Sequence, residues 1–435
     1  MTRVAIIGTG VAGLSAAYGL CGKADIVLFE SGDCVGGHAH TEELEDEPGK
    51  TIGLDTAFVV FNALSYPNFC AFLEETAVPY VPHLGGFSFW DRVAGVEYGS
   101  AELEQGGAQL ASRYPAWLCS VIDEAKRFHR ESGQDMARGE ADAPLGAYLD
   151  ARGYSQAFRD AYIGLLSTAV WSVPPALIWD MPASTVIAFF YYHGEGGLGG
   201  KRVDWRSVQG GSISYVRRLL DIVKPDIRLN TPVASIREIG EHVEVRSAAG
   251  SEQFDYVVLA THADQALAIL GDNATEWQRH LLSQVRYHST RVVLHTDASV
   301  MPADRGRWMT WNYGQVATER GVEGYVAYYL NRVQGLDSRN DYFLTLDYPL
   351  PLESAKVIRE FDYSHPVIDM AVRKMQGEIY SLNHQGRVKL CGSYFHSREL
   401  GADLIGSHEA AFSSGAEAAK SVLGMMQSPV ENWLI

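Results

Sequence analysis

The apolar positions of the first thirty residues fall into three short segments. Arg3–Ile7 and Asp25–Phe29 are runs of mostly β-branched and aromatic residues, and Leu14–Cys21 between them is rich in small residues. Short apolar runs on either side of a helix-length segment predict two buried parallel strands, joined by a helix that packs closely on their sheet. The second run ends at Glu30, which places an acidic side chain at the end of that strand.

The same patterning continues along the chain and predicts an α/β fold. Helices are predicted at Ile213–Val223, after a glycine turn, and at about 406–415. Residues from about 62 to 202 are helix-like, and those from about 278 to 361 contain strand-like runs. The chain has no internal repeat or Pro/Ser-rich linker, so its domains are expected to be interleaved. Further core strands are predicted at Ile227–Ile236, Tyr256–His262 and Val388–Ser393.

The composition is that of a globular protein with an excess of acidic residues. The chain has 435 residues, enough for two connected domains, and 46% of them are hydrophobic. The formal net charge of −17 argues against a nucleic-acid partner, since phosphate binding needs clustered Lys and Arg. The five cysteines have no disulfide or metal-ligand spacing, and no apolar run is long enough for a membrane helix. We therefore expect a soluble, cytoplasmic protein.

The turn after the first strand has the spacing of a dinucleotide-binding motif. Gly8 allows the tight turn, Gly10 lets the backbone approach a pyrophosphate, and Gly13 lets helix and strand pack closely. The helix N-terminus offers free N–H groups and a favourable dipole to the phosphates. Glu30 is expected to accept hydrogen bonds from the adenosine ribose, and its charge disfavours NADP. The motif alone does not separate FAD from NAD.

The residues that follow resemble the flavin amine-oxidase and phytoene-desaturase superfamily. Its members carry R-x-G-G-R-x-x-[ST] after the acidic residue. Here the glycine pair and Thr41 match, whereas Cys34 and His38 replace the two arginines. The resemblance extends, in the same order, through the later glycine turn, the core strands and the C-terminal helix. In finer detail the chain is most similar to a bacterial group of predicted NAD/FAD-binding oxidoreductases.

This resemblance implies noncovalent FAD on a Rossmann-type domain that is interleaved with an α+β substrate-binding cap. It also implies that the backbone at Val233 reads the adenine edge and that the C-terminal helix faces the flavin. The expected FAD-binding domain comprises residues 1–61, 203–277 and 362–435, and the expected cap comprises residues 62–202 and 278–361. The residues expected to bind FAD are Gly8, Gly10, Val11, Ala12, Gly13, Glu30, Ser31, Gly36, Gly37, His38, Thr41, Thr56, Ala57, Phe58, Val233, Ala260, Thr261, Gly392, Ser393, Ser407, His408 and Ala411.

Arg291, Trp171 and Tyr394 are the candidates for a direct role at the flavin. The resemblance places Arg291 where many amine oxidases carry a lysine. Arginine stays protonated, so it would orient a carboxylate or stabilise the reduced flavin; the alternative is a structural salt bridge. Trp171, Tyr394 and Trp311 are candidates for the pocket wall, with core packing as the alternative.

Neither a metal site nor a covalent flavin is expected from the sequence. His38, His40, His396 and His408 lack ligand-like spacing, and no cysteine or carboxylate cluster completes a set. Cys391 lies within a core strand and is expected to be a buried apolar residue.

Three functions fit these observations. The first is an FAD-dependent oxidoreductase that removes a hydride from an amine-type or CH–CH carbon to flavin N5, with reoxidation by O2. The second is a flavin-dependent desaturase or redox-neutral isomerase of an acyl or isoprenoid chain, and the third is a non-catalytic FAD-binding protein. An aromatic cage over the flavin would favour an amine, and a long apolar tunnel a lipid. A small-molecule substrate is expected, and a homodimer is left open.

Overall fold

The computed structural model describes residues 1–83, 85–105, 107–171, 173, 175–193 and 203–427. Within these ranges, none of the helices combines the length and apolarity that a membrane crossing needs. The strands are β1 (Arg3–Ile7), β2 (Asp25–Phe29), β3 (Thr41–Glu47), β4 (Lys50–Asp55), β5 (Tyr80–His83), β6 (Phe87–Asp91), β7 (Val96–Gly99), β8 (Trp205–Val208), β9 (Asp226–Arg228), β10 (Val233–Ile239), β11 (His242–Ser247), β12 (Gly250–Phe254), β13 (Tyr256–Leu259), β14 (Arg286–His295), β15 (Trp311–Thr318), β16 (Gly321–Tyr329), β17 (Phe343–Leu346), β18 (Val357–Val367) and β19 (Val388–Leu390).

Most of the longer helices lie between the N-terminal motif and β8, and the last one closes the described chain. The α-helices are α1 (Val11–Gly19), α2 (Pro67–Glu75), α3 (Ser100–Gln105), α4 (Gly107–Leu110), α5 (Ala116–Ala137), α6 (Leu145–Ala151), α7 (Gln156–Phe158), α8 (Gly164–Trp171), α9 (Pro175–Ile178), α10 (Ala183–His193), α11 (Ile213–Val223), α12 (Ala263–Leu270), α13 (Glu276–Leu282), α14 (Leu330–Val333), α15 (Met370–Met375) and α16 (His408–Gln427). A π-helical segment covers Arg159–Ile163, and 3-10 segments cover Gly271–Asn273, Ala298–Val300, Arg305–Arg307, Ser354–Lys356, Ile379–Asn383 and Ala402–Leu404.

A five-stranded parallel sheet carries the N-terminal motif. Its order is β19-β13-β1-β2-β9, and every neighbouring pair is parallel. The side chains of β1 from Val4 to Ile7 are buried, as expected of a central strand covered on both faces. The unit β1–α1–β2 reproduces the predicted strand, helix and strand, so the Rossmann-type α/β prediction is confirmed.

A seven-stranded sheet forms the second large layer. Its order is β18-β14-β17-β16-β15-β6-β7, antiparallel except for the pair β6 and β15. Aromatic residues of this sheet, such as Phe87 and Tyr313, share one core with residues of α5 and α8, such as Phe128 and Leu166. This sheet and its helices are the α+β part of the predicted fold, which is confirmed. The smaller sheets are β10-β11-β12, β3-β4 and β5-β8.

One predicted strand is divided in the structure. The strand predicted at Ile227–Ile236 is two strands, β9 and β10, because Asn230 adopts a left-handed conformation (φ +50°) between them. The backbone amides of Asn230 and Thr231 turn aside to donate to the carbonyls of Gly32 and Glu30. The strands predicted to end at His262 and Ser393 end earlier, at Leu259 and Leu390.

Helices α1 and α16 are packed so closely that a glycine is required between them. A Cβ atom at Gly415 would lie 2.0 Å from the carbonyl oxygen of Ala12. Next to this contact, Ser15 Oγ donates a 2.7 Å hydrogen bond to the carbonyl oxygen of Phe412. The contact brings the N-termini of both helices to the edge of the parallel sheet where β1 ends.

We expect Gly415→Ala to lower the free energy of unfolding by about 1–3 kcal/mol, because the methyl group forces the two helices apart. Gly424→Ala is a matched control in the same helix, since a Cβ there meets no atom within 4 Å. The control should be neutral or stabilising by up to about 1 kcal/mol, through helix propensity. Urea unfolding measures both variants, and equal stabilities would contradict the close contact.

Candidate functional site

A cavity of about 410 Å³ opens at the carboxyl ends of β1, β2, β13 and β19 and is also lined by residues of α8, α10 and β18. Most of the residues predicted to bind FAD line it. They are Gly8, Gly10, Val11, Ala12, Glu30, Ser31, Gly37, His38, Ala57, Phe58, Ala260, Thr261, Gly392, Ser393, Ser407, His408 and Ala411. Trp171 and Tyr394 also line the cavity.

The three motif glycines differ in what surrounds them. Gly8 has φ +97°, and a Cβ there would lie 2.6 Å from the carbonyl oxygen of Ala260. At Gly13 a Cβ would lie 2.0 Å from the carbonyl oxygen of Gly8, so this residue serves helix packing and does not line the cavity. At Gly10 a Cβ would meet no protein atom within 4 Å. A side chain at Gly10 would therefore project into the open cavity.

Glu30 lies at the cavity wall and is held in place by its own turn. Its Oε2 accepts hydrogen bonds from the amide (3.1 Å) and hydroxyl of Thr9, and Oε1 accepts from the amide of Gly32 at 2.9 Å. Three residues, from the turns that follow β1 and β2, thus converge at this corner of the sheet, where the sequence predicted the ribose contact. The carboxylate is oriented without the help of a ligand.

Some predicted cofactor residues do not line the cavity, because their polar groups serve the protein. Thr41 Oγ1 donates to Asp55 Oδ1 at 2.6 Å and accepts from the amide of Ile213, which places it in a buried junction of strands and helix. Thr56 Oγ1 is 2.6 Å from the hydroxyl of Tyr363. Gly36 is buried within a backbone turn, and a Cβ there would lie 2.5 Å from the carbonyl oxygen of Ala39.

Val233 also lies away from the cavity lining. It begins β10, which belongs to the separate antiparallel sheet. The preceding turn, through Asn230 and Thr231, is the part that bonds to the Glu30 loop. The contact of its backbone with the adenine stays a prediction.

The structure does not place Arg291 at the cavity, contrary to the first of the two roles predicted for it. Arg291 lies on β14, and its half-exposed guanidinium forms a bidentate ion pair with Glu360 on β18 (3.0 and 2.8 Å). Its amide donates to Asp347 Oδ1 at 3.0 Å. It is not a lining residue of the cavity, and the structural salt bridge is the alternative that the structure supports. Trp311 packs on Trp205 in the core, with ring centroids 5.1 Å apart, and is not a lining residue either.

Aromatic side chains line the end of the cavity that α8 and α10 border. Trp171 and Phe189 are in contact there, with ring centroids 5.1 Å apart. Tyr66, which precedes α2, is also a lining residue. Tyr394, which follows β19, is fully buried, and its hydroxyl has no hydrogen-bond partner in the structure. Burial raises the pKa of Tyr394 well above its ordinary value, so the hydroxyl stays protonated and able to donate.

Two further residues, His408 and Cys391, have roles predicted from the sequence. His408 begins α16 and stacks on Phe58 at 3.7 Å, while its Nε2 is 2.9 Å from the hydroxyl of Tyr215. Burial lowers the pKa of His408 to about 3, so the ring is neutral. Cys391 is buried and is not a lining residue, as the sequence predicted for an apolar core cysteine.

The sequence did not single out two histidines of the lining, His262 and His365. His262 caps α12, and His365 lies near the end of β18, so both come from elements distant in sequence from His38. No local pattern of the sequence shows that either histidine reaches the cavity. In the described chain, no group of three or more His, Cys, Asp or Glu residues is placed to hold a metal ion.

The lining fits a bound dinucleotide. The open space at Gly10 and the N-termini of α1 and α16 suit a diphosphate and a flavin. Several lining residues also have a buried polar atom without a partner in the structure, which a polar ligand in the cavity would supply. These atoms are His38 Nε2, Ser65 Oγ, His365 Nδ1, Tyr394 Oη and His408 Nδ1.

The chain is similar to several known proteins. Residues 11–323 match the family of flavin-containing amine oxidoreductases. (S)-6-hydroxynicotine oxidase of Paenarthrobacter nicotinovorans is 25% identical over 262 residues, and the match spans 59% of each chain. The chain thus covers less than two thirds of that relative.

Solved structures of low sequence identity share the fold over nearly the whole chain. A protein of Exiguobacterium sp. 255-15, provisionally named a protoporphyrinogen oxidase, has a TM-score of 0.69 at 16% identity, over 98% of this chain and 99% of that one. A putrescine oxidase bound to putrescine has a TM-score of 0.66 at 15% identity, over 97% and 99%. Because the family match covers well over half of the chain, the protein belongs to the flavin-containing amine oxidoreductases, and its cofactor is FAD.

Proposed function

We propose that the protein is an FAD-dependent oxidase that removes a hydride from the carbon next to nitrogen in a small-molecule amine. The observation that carries this proposal is the aromatic part of the cavity lining, which comprises Tyr66, Trp171, Phe189 and Tyr394. Aromatic rings offer an apolar surface on which an uncharged amine can pack away from water. An acyl or isoprenoid substrate would favour a long apolar tunnel, and aromatic rings line this cavity instead.

The chain's own residues would bind the cofactor and shape the substrate site. Glu30 would accept hydrogen bonds from the ribose, and the N-terminus of α1 would face the diphosphate. The N-terminus of α16 would stabilise negative charge on the ring system. When bound, FAD supplies an acceptor for a hydride at flavin N5, and we propose O2 as the final electron acceptor.

Cap residues would keep the reacting amine dry and oriented. Trp171 and Phe189 cover the cavity from α8 and α10, and Tyr394 offers a buried hydroxyl as a donor. Asp403 also lines the cavity, and its Oδ1 accepts from Ser184 Oγ (2.8 Å) and Arg373 Nε (2.7 Å). Because Arg373 balances this carboxylate, Asp403 would add little net charge beside the uncharged amine from which a hydride leaves.

We expect the purified protein to be yellow and to release intact FAD on denaturation. A panel of primary, secondary and N-methylated amines should yield a substrate that reduces the flavin without O2 and produces hydrogen peroxide in air. On that substrate, Trp171→Ala should keep FAD bound and lower kcat/KM about 10- to 100-fold, as loss of a large aromatic contact does.

Trp277→Ala is the control for this variant, since Trp277 lies exposed on α13, outside the lining. It should leave kcat/KM unchanged. A protein that takes up no FAD would overturn the proposal. So would flavin reduction by unsaturated acyl or isoprenoid compounds and by none of the amines. Bound FAD that no compound of either class reduces would indicate a non-catalytic flavoprotein.

A further inference from the structure

The cavity lacks the fixed positive charge that a diphosphate ligand calls for. Among the described residues that line it, none is Lys or Arg, and its carboxylates are Glu30 and Asp403. Helix N-termini provide only partial charges. The remaining groups that can become cations are the four histidines of the lining. They are His38, His262, His365 and His408.

Three of these histidines form one cluster. The ring centroid of His38 lies 5.2 Å from that of His365 and 6.2 Å from that of His262. His38 Nε2 and His365 Nδ1 are buried and without a hydrogen-bond partner in the structure. His262 caps α12 and stacks on Tyr287 at 4.3 Å. The cluster therefore borders the cavity and includes two imidazole nitrogens that have no hydrogen-bond partner in the structure.

All three histidines of the cluster line the same cavity as Gly10. His38 follows Gly37, whose Cβ, if present, would lie 3.0 Å from the Cα of Gly10. Gly10 begins α1 and borders the open space that its missing side chain leaves. Imidazoles next to this space would face a group that approaches Gly10.

We propose that His38, His262 and His365 form a proton-linked anion site, which takes up protons when the diphosphate of FAD binds. The proposal rests on the proposed function only in naming FAD as the ligand. The resembling family has an arginine, with a fixed positive charge, at the position of His38. In this protein the positive charge would appear only when the ligand binds. FAD binding to the empty protein should then consume protons from the solvent.

The direction of the effect follows from the electrostatics of the cluster. Without a ligand, burial and mutual repulsion lower the pKa of His38 to about 3 and that of His365 to about 4. Burial also lowers the pKa of His262, against a raising contribution from Asp264. An adjacent diphosphate favours the charged form and raises these pKa values. The complex binds more protons than the free protein, so affinity rises as pH falls.

The groups facing the cluster from neighbouring elements do not provide a substitute charge. On β18, Tyr363 lies 4.8 Å from His38 between ring centroids, and its buried hydroxyl bonds to Thr56. His288 on β14 further lowers the pKa of His365. The hydroxyl oxygen of Tyr287 accepts a hydrogen bond from the amide of Ala263. Tyr287 is neutral, because burial raises its pKa. The carboxylate acting on the cluster is Asp264 of α12.

The test titrates FAD into flavin-free protein and follows flavin fluorescence from about pH 8 down to about pH 5.5. The association constant should rise about tenfold per pH unit for each proton taken up. Riboflavin, which has no phosphate, should bind with no such dependence, and it controls for pH effects on the fold. Calorimetry in buffers of different ionisation enthalpy should count the protons consumed.

His38→Gln and His365→Gln should each reduce the dependence of the FAD association constant on pH. Each should weaken FAD binding about tenfold or more near pH 5.5 and change it little near pH 8. His384→Gln is the control, because His384 is exposed and outside the lining. Equal slopes for FAD and riboflavin, or no proton uptake, would overturn the proposal and leave the proposed function standing. The proposal would also be overturned if a fatty carboxylate bound the FAD-loaded protein with this pH dependence while FAD binding showed none. The proposed function would again stand. Absence of FAD binding at every pH would instead overturn the proposed function.

Discussion

We expect Gly10→Val to abolish FAD binding while the protein stays folded. Gly10 has φ −63° and ψ 173°, an extended conformation that valine adopts readily. A Cβ at this position meets no protein atom within 4 Å, so the fold has room for the side chain. The same space is the one that the diphosphate must enter at the N-terminus of α1. The valine would therefore exclude the cofactor by occupying its place.

The variant should be colourless, and its affinity for added FAD should fall at least about 1,000-fold, since a diphosphate cannot overlap two methyl groups. Its circular dichroism and the free energy of unfolding of the flavin-free protein should match those of the flavin-free parent within about 0.5 kcal/mol. Gly10→Ala should show a smaller loss of affinity with the same fold.

Gly13→Val is the contrasting variant. A Cβ at Gly13 would lie 2.0 Å from the carbonyl oxygen of Gly8, so this change should destabilise the protein itself. If Gly10→Val retained the flavin of the parent protein, the diphosphate would lie elsewhere in the cavity. If it unfolded like Gly13→Val, the open space at Gly10 would be wrong.

The N-terminal motif could be predicted from sequence because its residues lie close together in the chain. Gly8, Gly10, Gly13 and Glu30 lie within one βαβ unit, and the spacing of that unit fixes both the turn and the position of the acidic residue. The predicted bounds of β1 and β2, and of α11, agree with the structure for the same reason. Apolar periodicity and the flanking turns suffice for elements whose ends are marked by glycine.

Other parts of the site depend on contacts between distant segments, which no local pattern reveals. Arg291 could be assigned to strand β14, but whether its side chain faced the cavity depended on its pairing with β18, where Glu360 lies. A shift of one residue in register reverses the face of every side chain. His262 and His365 reach the cavity from α12 and β18, so only the tertiary structure brings them to His38.

Polar residues that fit a cofactor motif can also belong to the scaffold. Thr41 matches the family's [ST] position, yet its hydroxyl joins Asp55 and Ile213 in a buried junction. Burial raises the pKa of Asp55 to about 7, against the lowering effect of Thr41 and Ser212. The motif residue thus holds β3 and β4 against α11. From sequence alone, a structural hydroxyl and a ligand-binding hydroxyl look the same.

Glu30→Ala should weaken FAD binding by at least about 100-fold, because hydrogen bonds to a charged acceptor contribute about 1.5–3 kcal/mol each and two ribose hydroxyls would lose theirs. The structure shows why this carboxylate is effective. Thr9 and Gly32 hold it at the cavity wall before any ligand arrives, so little ordering is needed on binding. Glu30→Gln should lose less, since it keeps one acceptor oxygen.

Riboflavin separates a ribose contact from a general disturbance of the cavity, because it lacks the adenosine that Glu30 would bind. Fluorescence titrations should show that Glu30→Ala weakens FAD and leaves riboflavin unchanged. Asp33→Ala is the control within the same loop, as Asp33 is exposed and outside the lining; it should bind both ligands as the parent does. Equal losses for FAD and riboflavin would show that Glu30 acts by holding the Thr9 turn, and an unchanged FAD affinity would remove Glu30 from the cofactor site.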